Sequence, residues 1–187
     1  MRVIAGTAKG VRLAPVPAGV RPVSERAREG LFSSIAADVP GGVVLDLYAG
    51  SGALGIEALS RGAERAVFVE RNRAALRAIR ENLERTRLAD RAQVAGSEVS
   101  SFVTGKRNAD DRFDLVLADP PYDAGIGELE GVLERLAESW VQPGGSVVLT
   151  RGSRSFTPVI PVHWLLARRL EYGDTAVLIL RPDPQEA

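Results

Sequence analysis

Val44-Leu45-Asp46-Leu47-Tyr48-Ala49-Gly50-Ser51-Gly52-Ala53-Leu54-Gly55 joins a short apolar run to a glycine turn and then to a helical pattern. Val43–Leu47 is nearly all apolar, as expected of a strand covered on both faces. Gly50, Gly52 and Gly55 have the spacing G-x-G-x-x-G, in which glycine permits positive φ and lets a ligand touch the backbone. The helix that follows carries Leu54, Ile56, Ala58 and Leu59 and stops at Gly62.

The same alternation continues downstream. Arg65–Glu70 reads as a second buried strand, and residues 72–86 as a helix with Leu76, Ile79 and Leu83 on one stripe. A weaker strand is expected at 91–95, a strong one at Phe113–Ala118, a helix at 129–136 and a strand at 146–150 after Pro143-Gly144-Gly145. Two apolar runs, 164–171 and 175–180, flank Tyr172-Gly173-Asp174, a hairpin signal. Upstream, Ser24 can cap a helix through Arg26, Leu31, Phe32 and Ile35 that Pro40-Gly41-Gly42 stops. Residues 1–22 are rich in Gly, Pro and basic side chains and carry two β-like runs, 2–5 and 11–14. Repeated strand–helix alternation predicts an α/β protein with a parallel sheet, helices on both faces and antiparallel strands added at one side.

Composition narrows the chemistry. A chain of 187 residues is the size of one domain, or one domain with an arm, and can bury roughly 70% of its unfolded surface. It has no cysteine and a single histidine, His163, which excludes a disulfide framework, a thiolate zinc site, a cysteine nucleophile and a histidine metal cluster. No apolar run approaches the ~20 residues of a membrane span, and the start lacks the apolar core of a secretory signal. A cytoplasmic protein is expected. The net charge of zero hides basic segments at 1–37 and 61–91, each +4, and an acidic one at 98–145 of −6. Of 24 basic residues 22 are arginine, whose planar fork suits phosphate.

The glycine spacing serves dinucleotides and S-adenosylmethionine alike. Glu70, 20 residues after Gly50 at the end of the second strand, can take both hydroxyls of a ribose. Asp46 favours the second ligand, because a carboxylate there repels a pyrophosphate and suits the ammonium of a methionine moiety. The chain also lacks room for a separate substrate domain. Ala49, Gly50, Ser51, Gly52 and Arg71 complete the expected cofactor contacts, with Ser97 and Glu98, after the third strand, placed along the adenine.

Asp119-Pro120-Pro121-Tyr122 follows the strand Phe113–Ala118, at the carboxyl edge where open α/β sheets bind ligands. Two prolines remove two backbone N–H groups, leaving the Asp119 carboxylate and bare carbonyls. An exocyclic amine finds acceptors for its protons there, and its nitrogen gains a usable lone pair. Tyr122 offers a stacking face, worth roughly 1–3 kcal/mol per base. Catalysis of this kind is positioning plus electrostatics.

Together, residues 46–55, Glu70 and 119–122 resemble the seven-stranded S-adenosylmethionine-dependent methyltransferases that modify exocyclic amines, a Rossmann-like fold. Arg2-Val3-Ile4-Ala5-Gly6, Lys9-Gly10, Arg21-Pro22, Arg26-Ala27-Arg28-Glu29, Leu31-Phe32 and residues 45–63 further resemble the RsmD family. That resemblance implies methylation of the N2 of one guanine in bacterial 16S ribosomal RNA, within the small subunit or an assembly intermediate, with no metal. It implies a small N-terminal hairpin or arm, 1–22, before a methyltransferase domain, 23–187. It assigns Asp46, Gly50, Gly52 and Glu70 to the cofactor and Asp119, Pro120, Pro121 and Tyr122 to the target base. The family usually has an acidic residue where Ser97 stands and a Glu where the fifth strand here ends in Thr150-Arg151.

Arg2, Lys9, Arg12, Arg21, Arg26 and Arg28 are expected to meet RNA phosphates, on an arm that either orders with RNA or covers the core as a surface strand. Arg26 and Glu29 could instead line the cofactor mouth. Arg73, Arg77 and Arg80 read as a solvated helix face, and His163 as a surface residue. Three alternatives stand beside the main reading: adenine-N6 methylation of DNA, nicotinamide-dependent oxidoreduction, and a non-catalytic ribosome assembly factor.

Overall fold

In the computed structural model, residues 1–14, 23–105, 112–121 and 124–184 are described. Seven strands form one sheet: β1 (Val43–Leu47), β2 (Arg65–Glu70), β3 (Ala92–Gly96), β4 (Phe113–Ala118), β5 (Val141–Gly152), β6 (Trp164–Tyr172) and β7 (Thr175–Pro182). Their order in space is 3-2-1-4-5-7-6. Strands β1 to β5 pair in parallel, and β7 lies antiparallel between β5 and β6. The chain therefore reverses its direction of winding between β1 and β4, which opens a crevice at their carboxyl ends.

The two-residue period of the strands splits the apolar side chains between the faces. One layer holds Val44, Phe68, Leu115 and Leu117 against α1 (Glu25–Ser34), α2 (Ala53–Ser60) and α3 (Arg73–Thr86). The other holds Leu45, Leu47, Val67 and Val116 against α4 (Val99–Thr104) and α5 (Ile126–Arg135). Capping follows the sequence: Ser24 accepts from Ala27 N–H, and Asn72 from Ala74 and Ala75 N–H.

Two features depart from the sequence expectations. Helix α4 was not expected, since Val, Ser and Thr are mediocre helix formers. It is held by packing: Val99 and Val103 are buried, the Phe102 and Trp140 rings lie 4.9 Å apart, and Trp140 Nε1 donates to the Val103 carbonyl at 2.9 Å. Strand β5 begins at Val141 rather than Ser146, with a bulge over Pro143-Gly144-Gly145, and regular pairing with β4 resumes at Ser146 opposite Leu115. The hairpin adds one antiparallel neighbour to β5, because β7 inserts and β6 takes the edge.

Residues 1–14 cover the core, the second of the two expectations for the arm. Val3, Ala8 and Leu13 are buried within the α1–α3 layer. Their backbone is tied down by buried polar side chains. Ile4 and Ala5 N–H donate to Glu57, Ala8 N–H to Ser60 Oγ and Ala14 N–H to Asn82 Oδ1. Gly6, at φ +82, sits so close to the end of α2 that a Cβ would lie 1.7 Å from the Ser60 carbonyl oxygen. A single antiparallel bridge joins Arg2 to Arg12. The boundary expected at residue 22 lies outside the described residues.

Candidate active site

Leu47, the last residue of β1, pairs with Val69 on β2 and Ala118 on β4. Tyr48, Glu70 and Asp119 therefore leave the sheet at one level. The chain turns sharply after β1, with Tyr48 at φ 57, Gly50 at 57 and Gly52 at 78. Left-handed backbone at a tyrosine is strained and is found mostly at functional sites. The turn is braced by Ala49 N–H donating to Val69 O and Gly52 N–H to Ala49 O. Gly55 allows α2 to sit against β2, since a Cβ there would meet the Phe68 ring at 2.4 Å and Asp46 Oδ2 at 2.9 Å.

Asp46 is buried. Its Oδ2 accepts from Gly55 N–H at 2.8 Å, while Oδ1 has no hydrogen-bond partner. Burial holds this carboxyl well above the usual range; the Gly55 N–H opposes that, and the charges of Asp119 and Glu70 add to it. A cation bound beside Oδ1 would satisfy the oxygen and favour the carboxylate.

Glu70 is fixed by three backbone donors: Gly50 N–H to Oε2 at 2.9 Å, and Arg71 and Asn72 N–H to Oε1 at 2.8 and 2.7 Å. The carboxylate thus couples the end of β2 to the glycine turn. Ser97 lies next to it, its N–H donating to the Glu70 carbonyl at 3.1 Å. Arg71 and Glu98 form an exposed ion pair at 3.0 Å on the rim.

Asp119 is partly buried at the end of β4, its N–H donating to Leu47 O at 3.3 Å. Burial pushes its carboxyl up to about 6, against a hydrogen bond from the Thr150 hydroxyl to Oδ1. Thr150 is itself buried, two residues before the end of β5. The Thr150 hydroxyl thus holds Asp119 and favours its ionised form. Pro120 is buried and Pro121 exposed, with the Pro121 carbonyl accepting from Ala124 N–H at 3.0 Å. Tyr122 lies outside the described residues.

One cleft brings Asp46, the glycine turn and Asp119 together, while Glu70, Ser97, Glu98 and Pro120 are not part of its lining. It is lined by residues 48–51, by Asp46 and Asp119, and by Val23 and Arg28. A larger concavity of about 300 Å³ lies at the amino ends of β1, β4 and the regular part of β5, beside Gly42, Asp114 and Gly145, away from the glycine turn.

Of the expected phosphate contacts, Arg2, Lys9, Arg12 and Arg26 are exposed, and Arg21 lies outside the described residues. Arg28 requires correction. It is 0% exposed, its Nη2 donates to the Arg2 carbonyl at 2.8 Å, and it cannot reach a surface phosphate. Sequence reasoning missed it as a cleft residue. The signal that could have found it is its spacing, three, four and seven residues before Leu31, Phe32 and Ile35, on the apolar stripe of α1. Arg26 and Glu29, considered for the cofactor mouth, are exposed.

Among the described residues no cluster of His, Cys, Asp or Glu could hold a metal ion, and no helix is long and apolar enough to cross a membrane.

The family described as Conserved hypothetical protein 95 matches residues 1–181. Ribosomal RNA small subunit methyltransferase D of Escherichia coli (strain K12) is 34% identical over 188 residues, covering 99% of this chain and 91% of that protein. A hypothetical protein of Thermus thermophilus superposes with a TM-score of 0.82 at 36% identity, over 97% of this chain and 99% of that one. Ribosomal protein L11 methylase of Lactobacillus delbrueckii subsp. bulgaricus shares the fold alone, with a TM-score of 0.66 at 15% identity, over 89% of this chain and 83% of that one. The fold is the Rossmann-like, seven-stranded architecture of S-adenosylmethionine-dependent methyltransferases. With a match running nearly end to end, the chain belongs to the Conserved hypothetical protein 95, or RsmD, family.

Proposed function

We propose that this protein methylates ribosomal RNA of the small subunit, using S-adenosylmethionine, at the exocyclic N2 of a guanine. The observation that carries the reading is that the acceptor-only corner at Asp119 and the glycine turn with Asp46 line one cleft. The name of the E. coli relative supports the RNA and the subunit.

The residues present fit the cofactor. Asp46 has a buried oxygen without a partner, suited to an ammonium; Glu70 is pre-set for ribose hydroxyls, and residues 50–52 offer close backbone approach. Ser97, Glu98 and Arg71 flank the adenine side. When bound, S-adenosylmethionine supplies an electrophilic methyl group. The protein's own contribution is to place a weak nucleophile. Asp119 and a proline carbonyl accept the N–H protons of the amine, which localises the nitrogen lone pair. Asp119 or water then takes the proton that the substituted nitrogen releases. A base inside a helix must first be taken out of its stack, and Tyr122 would hold it. Arg2, Lys9, Arg12, Arg21 and Arg26 would meet phosphates.

The test is incubation with labelled S-adenosylmethionine and either unmethylated small ribosomal subunits or duplex DNA. Label in the subunit RNA is expected; label in DNA alone would establish the adenine-N6 reading instead. Binding of a nicotinamide cofactor in place of S-adenosylmethionine would overturn both.

A further inference from the structure

Arg28 is the one wholly buried basic side chain among the described residues, and it faces the cleft beside Asp46 and the glycine turn. Its Nη2 is used by the Arg2 carbonyl, whereas Nε and Nη1 have no hydrogen-bond partner. A buried guanidinium stays charged and is costly to leave unpaired. Glu57 does not complete it. The approach from Nη1 to Glu57 Oε2 is 3.7 Å. The Glu57 oxygens already accept from Ile4 N–H at 2.8 Å, Ala5 N–H at 3.0 Å and Arg61 Nε at 2.7 Å. One carboxylate thus stands between two guanidiniums, and positive charge is left over on the cleft side.

Asp46 is the mirror case, a buried carboxyl in the same cleft with one oxygen unpartnered. No ion pair joins the two among the described residues. Two incompletely satisfied groups of opposite charge therefore line one small cleft. A ligand end that carries both charges on neighbouring atoms, as an α-amino acid does, satisfies both at once.

We propose that Arg28 binds the carboxylate of the methionine end of the methyl donor, so that Arg28 and Asp46 together read that end as a zwitterion. This rests on the cofactor reading above and adds a specificity determinant to it. Burial pulls the Arg28 guanidinium down from the usual arginine range against the attraction of Glu57 and Glu25, and a bound carboxylate would work in the same sense as those two. Arg28 also braces the amino-terminal segment through the Arg2 carbonyl, so a purely structural role is the competing account.

The experiment measures binding of S-adenosylmethionine and of decarboxylated S-adenosylmethionine, which keeps the ammonium and lacks the carboxylate, to the full chain by calorimetry. The wild type should bind the complete ligand about 30-fold more tightly, as expected for hydrogen bonds to a charged group. Arg28→Met should lose that discrimination and hold the decarboxylated form within about twofold of the wild type. If Arg28→Met does not fold, Arg28→Lys carries the comparison and should show reduced discrimination. Equal binding of both ligands by the wild type, or undiminished discrimination by a folded Arg28 variant, overturns the proposal while leaving the cofactor reading intact. Binding of neither ligand by the wild type overturns the cofactor reading, and the proposal with it.

Discussion

In the proposed mechanism Asp119 must be ionised to accept an amine proton, so its environment would set the pH dependence of transfer. With its carboxyl pushed up to about 6 by burial, the rate at saturating substrate should fall about tenfold per pH unit below that value. Thr150 donates to the ionised form and so lowers this pKa. Thr150→Val should move the acid limb to higher pH and slow transfer, and Thr150→Ser should restore both; the pH profile checks this. Asp119→Asn should reduce transfer by about 10²–10⁴-fold while cofactor affinity stays roughly constant. The folded pKa lies above the ordinary aspartate value of 3.8, so the folded state loses stability as pH rises between the two. Asp119→Asn removes that loss, so it should raise the melting temperature at pH 7.5 and not at pH 3.5. Unchanged melting at both would mean that Asp119 is not buried as described.

At the scale of elements, the amino-terminal segment and α2 are joined through Glu57, a fully buried carboxylate with two backbone donors and two arginines. Glu57→Ala should cost about 3–5 kcal/mol and free the Ile4 and Ala5 amides to exchange hydrogen; denaturant melts and amide exchange report both effects. The elements also show what a sequence can and cannot reveal. Strands β1, β2 and β4 have the bounds expected from their apolar runs, since strands covered on both faces are apolar throughout. That the glycine turn, Glu70 and Asp119 stand at the ends of β1, β2 and β4 was legible, because the apolar runs fix where those strands end. Helix α4 was not, because its stability resides in Trp140 and Phe102 packing rather than in local propensity. Nor were Glu57 and Arg28 legible as structural residues, since only the fold brings charges 29 residues apart within 3.7 Å in the core.

For the whole molecule, zero net charge means that RNA affinity must come from local patches. Arg2 and Arg12 share a bridge on the exposed hairpin, and the Arg2–Glu25 ion pair at 3.4 Å is exposed and weak. Binding of the small-subunit RNA should weaken with salt, and an Arg2→Ala, Arg12→Ala double variant should reduce the slope of log affinity against log salt by about 1–2. An unchanged slope would place the RNA elsewhere. In the proposed mechanism the Asp119 carboxylate lines the methyl-donor cleft and presents an exocyclic amine to it. Nucleoside mass analysis of 16S ribosomal RNA, after unmethylated small subunits are incubated with S-adenosylmethionine and either the wild type or Asp119→Asn, tests this most directly. N2-methylguanosine is expected with the wild type and essentially none with the variant; a methyl group on another atom, or equal product from both proteins, would overturn the proposed role of Asp119.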